Sequence, residues 1–224
     1  MIDANPLSPQ VLFHLGPVAV GRAVVTTWGL MAVMALGFGL ATRRLRADPG
    51  RAQAVLEVLV ETLATQIEDT MRVPAGPYLP LLGSLFLFIL AANLSAVIPG
   101  VQAPTAHIET TGALALVVFV AVHGYGIRAR GLTRYLRHYL EPNPFLLPLT
   151  LLSEFTRTLA LMVRLFGNIM SHELVIAVLL GLSGLLVPVP IMALGLLIGA
   201  VQAYIFAILA AVFIGAGIGA IETG

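Results

Sequence analysis

The sequence predicts an all-α, polytopic membrane protein. It should have about five membrane helices and one amphipathic helix lying on the cytoplasmic surface. The last two helices should form a long, strongly inclined hairpin. Three observations carry this prediction. Hydrophobic residues make up 58% of the 224 and charged residues only 10%, whereas a soluble domain is charged at about a quarter of its positions. Mean hydropathy is +0.97. Apolar runs of bilayer length recur along the chain, and the arginines gather in the breaks between them.

The totals also exclude function classes. The formal net charge of +1 gives no reason to expect a nucleic-acid partner. All twelve basic residues are arginine, and there is no cysteine, which removes disulfides, thiol catalysis and thiolate metal sites. No glycine-rich phosphate loop is present, so no nucleotide is expected, nor any metal or cofactor. Met1 is followed by Asp3 with no basic stretch before the first apolar run, which argues against a cleaved signal peptide. The chain reads as a single membrane domain over 1–224, without sequence repeats.

The first span reads 23–42, bilayer length. It ends at RRLRADPGR, where Arg43, Arg44, Arg46 and Arg51 place the loop in the cytoplasm. The N-terminus is then outside. Asp48 before Pro49 has the form of a helix N-cap with proline in the first turn. The stretch 50–72 is different. Leu56, Leu59, Leu63 and Ile67 recur at helical spacing, while Glu57, Glu61, Glu68 and Asp69 lie mostly on other faces. That is an amphipathic helix, too polar to span. VPAGP ends it.

A second span reads 78–98 and turns outside the membrane at PGVQAP. A third reads 111–127 and empties into Arg128, Arg130, Arg134 and Arg137. Both basic loops agree on one topology, with the C-terminus cytoplasmic. EPNP breaks the chain before two long apolar runs, 145–186 and 191–221, divided by VPVP. As a continuous helix the first would be about 60 Å long. The hydrocarbon core is about 30 Å thick, so the helix must bend, protrude or incline. Protrusion would put apolar ends in water, so inclination is expected.

That inclined helix carries a polar stripe. At 100° per residue, one face holds Glu154, Arg157, Arg164, Asn168, Ser171 and His172 along roughly 27 Å, while Glu173 falls on the opposite side. A charged side chain in mid-membrane costs about 2.5–3.5 kcal/mol by insertion scales and about 10–17 by simulation. Arg164 has no carboxylate three or four residues away to offset that; Arg157 has Glu154 one turn before it and can pair with it. A fixed cation beside an ion path explains Arg164. An arginine satisfied by a partner helix or water is the plainer alternative, as a solvated residue is for Glu173 and a core residue for His172. On the last helix, Gln202 and Tyr204 are the conspicuous polar pair. Gly195 and Gly199 share a face with Gln202, which lets a second helix approach closely and would let the glutamine bond to Arg164. Asn93, His107, Glu109 and His123 are isolated polar residues in or beside the spans.

At RLFGN, HEL and QAYIF the chain resembles subunit a of the F-type ATP synthases, over about 43–221. LMVRLFGNIMSHEL and VQAYIFAIL are the most specific segments. The resemblance implies an ion-translocating stator subunit of the rotary synthase or ATPase, non-catalytic by itself. It would present two aqueous half-channels to the carboxylates of a c-ring, separated by an essential arginine. It places that arginine on Arg164, the outer-channel acid on Glu173 with His172 beside it, the family asparagine on Asn168 and the last-helix glutamine on Gln202. Implied partners are the c-ring, the peripheral-stalk b subunits, the rest of the complex and the lipid bilayer. The implied location is the cell inner membrane. The chain also departs from the family pattern. Thr150 stands where the family usually has a carboxylate, with Glu154 one turn later. Thr158 replaces a common proline. His107 and Glu109 occupy the outer-turn positions, a possible outer-channel pair. The coupling ion, proton or Na+, is set mostly by the ring. Two rivals stand against this reading: a stand-alone secondary transporter in which Arg164 binds an anionic substrate, which broken helices and an internal repeat would mark, and a purely structural membrane anchor.

Overall fold

The computed structural model describes residues 11–15, 18–42, 50–96, 103–133, 135, 145, 147–183 and 188–219. Its architecture is helical. The chain runs through α1 (Arg22–Thr42), α2 (Arg51–Met71), α3 (Leu79–Ser95), a 3-10 turn (Pro104–Ala106), α4 (Ile108–Arg130), α5 (Leu147–Ser183) and α6 (Pro188–Ile218). Before α1 stands one feature that the sequence reading did not anticipate. Val11–Leu15 (β1) and Val18–Gly21 (β2) pair antiparallel, with Leu15 opposite Val18. Five residues of a strand are too few to register above the helical periods around them.

Among the described residues three helices are long and apolar enough to cross a membrane, namely α4, α5 and α6, and two shorter apolar helices, α1 and α3, accompany them. α2 is the amphipathic exception. Leu63, Ile67 and Met71 are buried, whereas Glu57, Glu61, Glu68 and Asp69 are exposed. It starts after Gly50, whose extended backbone caps it, and ends at Arg72 in the left-handed region. There the Glu68 carboxylate turns back to accept the Ala75 N–H at 3.0 Å. The expected cap at Asp48 lies outside the described residues.

The proline pair in VPVP does not separate the last two helices as the sequence reading had it. Pro188 and Pro190 form the first turn of α6, where a missing N–H leaves no intrahelical bond unmade. α4 likewise runs three residues further at each end than its apolar stretch. Glu109 in its first turn and Arg128 and Arg130 in its last complement the helix dipole.

α6 is the centre of the packing. It lies against α2, α3, α4 and α5, and its inward face is built from Ala203, Phe206, Ala210, Ala211 and Ile214. Small residues allow such close approach in an apolar medium, where packing rather than water drives helix association. Leu82, Leu85 and Ile89 of α3, Val118 and Val122 of α4, and Leu161 and Leu165 of α5 complete the core. α5 is the least covered of the three long helices. Leu149, Leu152, Phe155, Leu159 and Val163 are all exposed along it.

Candidate functional site

α5 divides its polar residues between two faces. Arg164 and Ser171 are exposed on the uncovered side, as is Asn168, while Leu161, Leu165 and Ile169 turn inward to the core. Among the described residues Arg164 has no hydrogen-bond or ion-pair partner. The expected bond from Gln202 to Arg164 is absent. Gln202 Oε1 instead accepts from Asn168 Nδ2 at 2.6 Å. Asn168 stands one turn beyond Arg164 on the same stripe, so the glutamine meets it and the guanidinium is left alone. Gln202 is only 3% exposed, and its Nε2 has no partner among the described residues. A buried donor left unmade costs about 1–3 kcal/mol, so an oxygen brought to Gln202 Nε2 by water or by a neighbouring subunit would be favoured there.

At the other end of the stripe, Arg157 and Glu154 do not form the expected ion pair among the described residues. The Arg157 guanidinium lies over the Phe213 ring, 5.8 Å from its centroid, a cation–π contact. That contact draws it toward α6, away from the carboxylate one turn back. Glu154 is half-buried.

His172 and Glu173 form the second face. The helical wheel put His172 with the arginine stripe and Glu173 opposite it. In the structure both line one cleft of about 210 Å³, with Asn93, Ala96, Ile176 and Gly195. Consecutive residues about 100° apart can straddle the groove between α5 and its neighbours, and these two do. Gly195 makes room for the imidazole, because a Cβ there would overlap the His172 ring. Glu173 Oε1 accepts the Ala103 N–H at 3.3 Å, which ties the carboxylate to the turn before α4.

Other residues singled out in the sequence lie elsewhere. Tyr204 reaches α2, donating its hydroxyl to Gln66 Oε1 at 2.7 Å. His107 caps α4 with its backbone, its carbonyl accepting from Thr111. Glu109 is exposed, and neither it nor His107 lines the cleft. His123 Nδ1 bonds to the Phe119 carbonyl within α4 at 2.8 Å. No group of three metal-ligating side chains occurs among the described residues.

Sequence reasoning undervalued one residue and missed another. Asn93 is 5% exposed and bonded at both ends of its amide, to the Gly199 carbonyl at 2.8 Å and from the Thr105 hydroxyl at 2.7 Å. An asparagine interrupting an apolar span was its only signal. Thr105, fully buried, gave none.

A family profile described as the ATP synthase A chain matches residues 24–215. The chain belongs to the ATP synthase A chain family. Among curated relatives, the ATP synthase subunit a 2 of Bradyrhizobium sp. is 55% identical over 223 residues, covering 100% of both chains. The ATP synthase subunit a 2 of Pelobacter propionicus is 52% identical over 95% of this chain and 93% of its own. The ATP synthase subunit a 1 of Hahella chejuensis is 49% identical over 93% and 88%. In this membrane subunit the structure puts Arg164 and the Glu173 cleft on two faces of one helix.

Proposed function

We propose that this chain is the ion-translocating stator subunit of a rotary ATP synthase. One observation carries the proposal: α5 presents on its uncovered face an arginine with no partner among the described residues, and an acid-lined cleft on another. A c-ring covering the exposed face would bring its ion-binding carboxylates past Arg164. The guanidinium stays charged at any working pH. It favours the ionised state of a passing carboxylate, so a group near it releases its ion. The same fixed charge repels a cation attempting to pass directly from one entrance to the other. Glu173 lies nine residues further on, roughly 13 Å along the helix axis. Its cleft, beside the turn that the arginine pattern puts outside, serves as the outer entrance, with His172 and Asn93 in its wall. Asn168 and Gln202, joined amide to amide, border the ring-facing stripe, and Gln202 Nε2, without a partner among the described residues, is a donor for whatever oxygen arrives there. Tyr204, Glu154 and Arg157 line or brace the inner portion of the path, and Ser171, two residues before Glu173, stands on the outer side of Arg164.

The subunit performs no catalysis of its own in this reading. It works with the c-ring, the peripheral-stalk b subunits and the remainder of the complex in the cell inner membrane. Its N-terminus is outside and its C-terminus cytoplasmic. A transporter that bound an anion through Arg164 would need the guanidinium at a cleft, and Arg164 does not line the one beside Glu173.

The test is Arg164→Ala in the assembled complex, reconstituted in vesicles, with ATP-driven ion pumping as the readout. Pumping should be abolished while the complex still assembles. Pumping at the original rate would remove the proposal, and substrate uptake by the purified subunit alone would favour the transporter.

A further inference from the structure

Asn93 sits where three segments around the Glu173 cleft come together. Its Nδ2 donates to the Gly199 carbonyl of α6, and its Oδ1 accepts from the Thr105 hydroxyl in the 3-10 turn. Two residues before Thr105, the Ala103 N–H meets the Glu173 carboxylate of α5. The path thus runs from α6 through α3 and the turn to α5. Both ends of the Asn93 amide are satisfied in an almost fully buried setting, which a residue present only to fill space would not need. The approach is also specific to glycine at 199. A Cβ there would stand 2.9 Å from Asn93 Cβ and push α3 away. Asn93 is itself part of the cleft wall.

We propose that Asn93 is a positioning residue for the Glu173 cleft, its amide clamping the turn at 103–106 to α6 and so fixing the Ala103 N–H over the carboxylate. The inference rests on reading that cleft as an ion entrance. The clamp acts through Thr105 and the turn, without touching the ion. Freed from it, the turn keeps its chain connections but no longer holds the Ala103 N–H at one place. Ion loading at Glu173 then changes, and the motor's turnover does not.

The experiment uses the assembled complex in vesicles, with ATP synthesis measured against ion concentration on the outer side, pH and Na+ being varied separately. Asn93→Leu, with the same branching, and Thr105→Val, of similar shape, each remove the clamp. Each should move the half-saturating ion concentration by about threefold or more, and Thr105→Val, at a residue outside the cleft lining, should keep the maximal rate per assembled complex within about twofold of the original. Combined, they should do no more than either alone. Thr105→Ser keeps the hydroxyl and should restore the original half-saturation. An unchanged half-saturating concentration in both clamp variants overturns the proposal, as does loss of assembly in both, which would make the clamp a folding element only. Glu173→Gln separates the two levels of argument. A shift there with none in the clamp variants discards the clamp and keeps the entrance. No shift in any of the three discards the entrance reading itself.

Discussion

Gly195 is the residue on which the placement of His172 depends. Any Cβ at that position would overlap the imidazole, so Gly195→Ala must swing His172 out of the cleft wall. Ion-driven ATP synthesis by Gly195→Ala should fall while the assembled complex is recovered in normal amount. Synthesis at the original rate would mean that the histidine's place in the wall is immaterial. Asn168 poses a different problem. Its amide satisfies the only bonded end of a buried glutamine. Asn168→Ala leaves Gln202 without a partner at either end, and the subunit should lose about 1–3 kcal/mol of stability in thermal unfolding of the complex. Neither pairing was legible in the sequence. Helical periodicity gives the face on which a residue lies, and Arg164, Asn168 and Ser171 do share an exposed one. It does not give the depth at which a residue on the next helix meets that face, so Gln202 was matched to the wrong neighbour by one turn.

At the scale of elements, the amphipathic helix illustrates both what the sequence carried and what it withheld. The alternation of Leu63 and Ile67 with Glu57, Glu61, Glu68 and Asp69 separated buried from exposed positions on α2, because a 3.6-residue period records a single apolar neighbour. The identity of that neighbour was not recorded. α2 docks on α6 and α3, and the hydrogen bond from Tyr204 to Gln66 spans 138 residues of sequence. Both side chains are partly exposed, so the bond is worth about 0.5–1.5 kcal/mol. Tyr204→Phe should therefore leave the complex folded and raise amide hydrogen exchange in 51–71 selectively. Uniform exchange across the subunit would show that α2 is held by its apolar face alone. The contact between α3 and α6 is stricter. Gly199→Val would place branched carbons against Asn93, and overpacking there should cost about 1–3 kcal/mol in addition to the lost bond. The two glycines on α6 were read correctly as a close-packing face, but they serve two different partners, His172 of α5 and Asn93 of α3. A small-residue pattern marks an approach without naming what approaches.

The whole molecule is governed by a mismatch of lengths. α5 has 37 residues, about 55 Å of helix, and the hydrocarbon core is about 30 Å. Its exposed positions are apolar near both ends, with Leu149, Leu151 and Leu152 at one and Val178, Leu180 and Leu182 at the other. An upright α5 would leave about 25 Å of that surface in water. At roughly 25 cal/mol per Å² of apolar area, even a few exposed leucines make that arrangement unfavourable by several kcal/mol. Lying about 55–60° from the membrane normal, the whole helix stays in the slab, and Arg164 near its middle is carried far from either surface. The inclination thereby keeps both apolar ends in lipid while Arg164 stays at the middle of the slab, the depth its proposed role requires. The absence of cysteine from the chain makes this measurable. Leu151→Cys and Val178→Cys introduce label sites about 40 Å apart along the axis. In the assembled complex, labels at both positions should be reached by lipid-borne quenchers and should differ in depth by about 20–25 Å. A depth difference near 40 Å, with one label in water, would mean that α5 stands upright. The apolar ends of α5 would then stand in water.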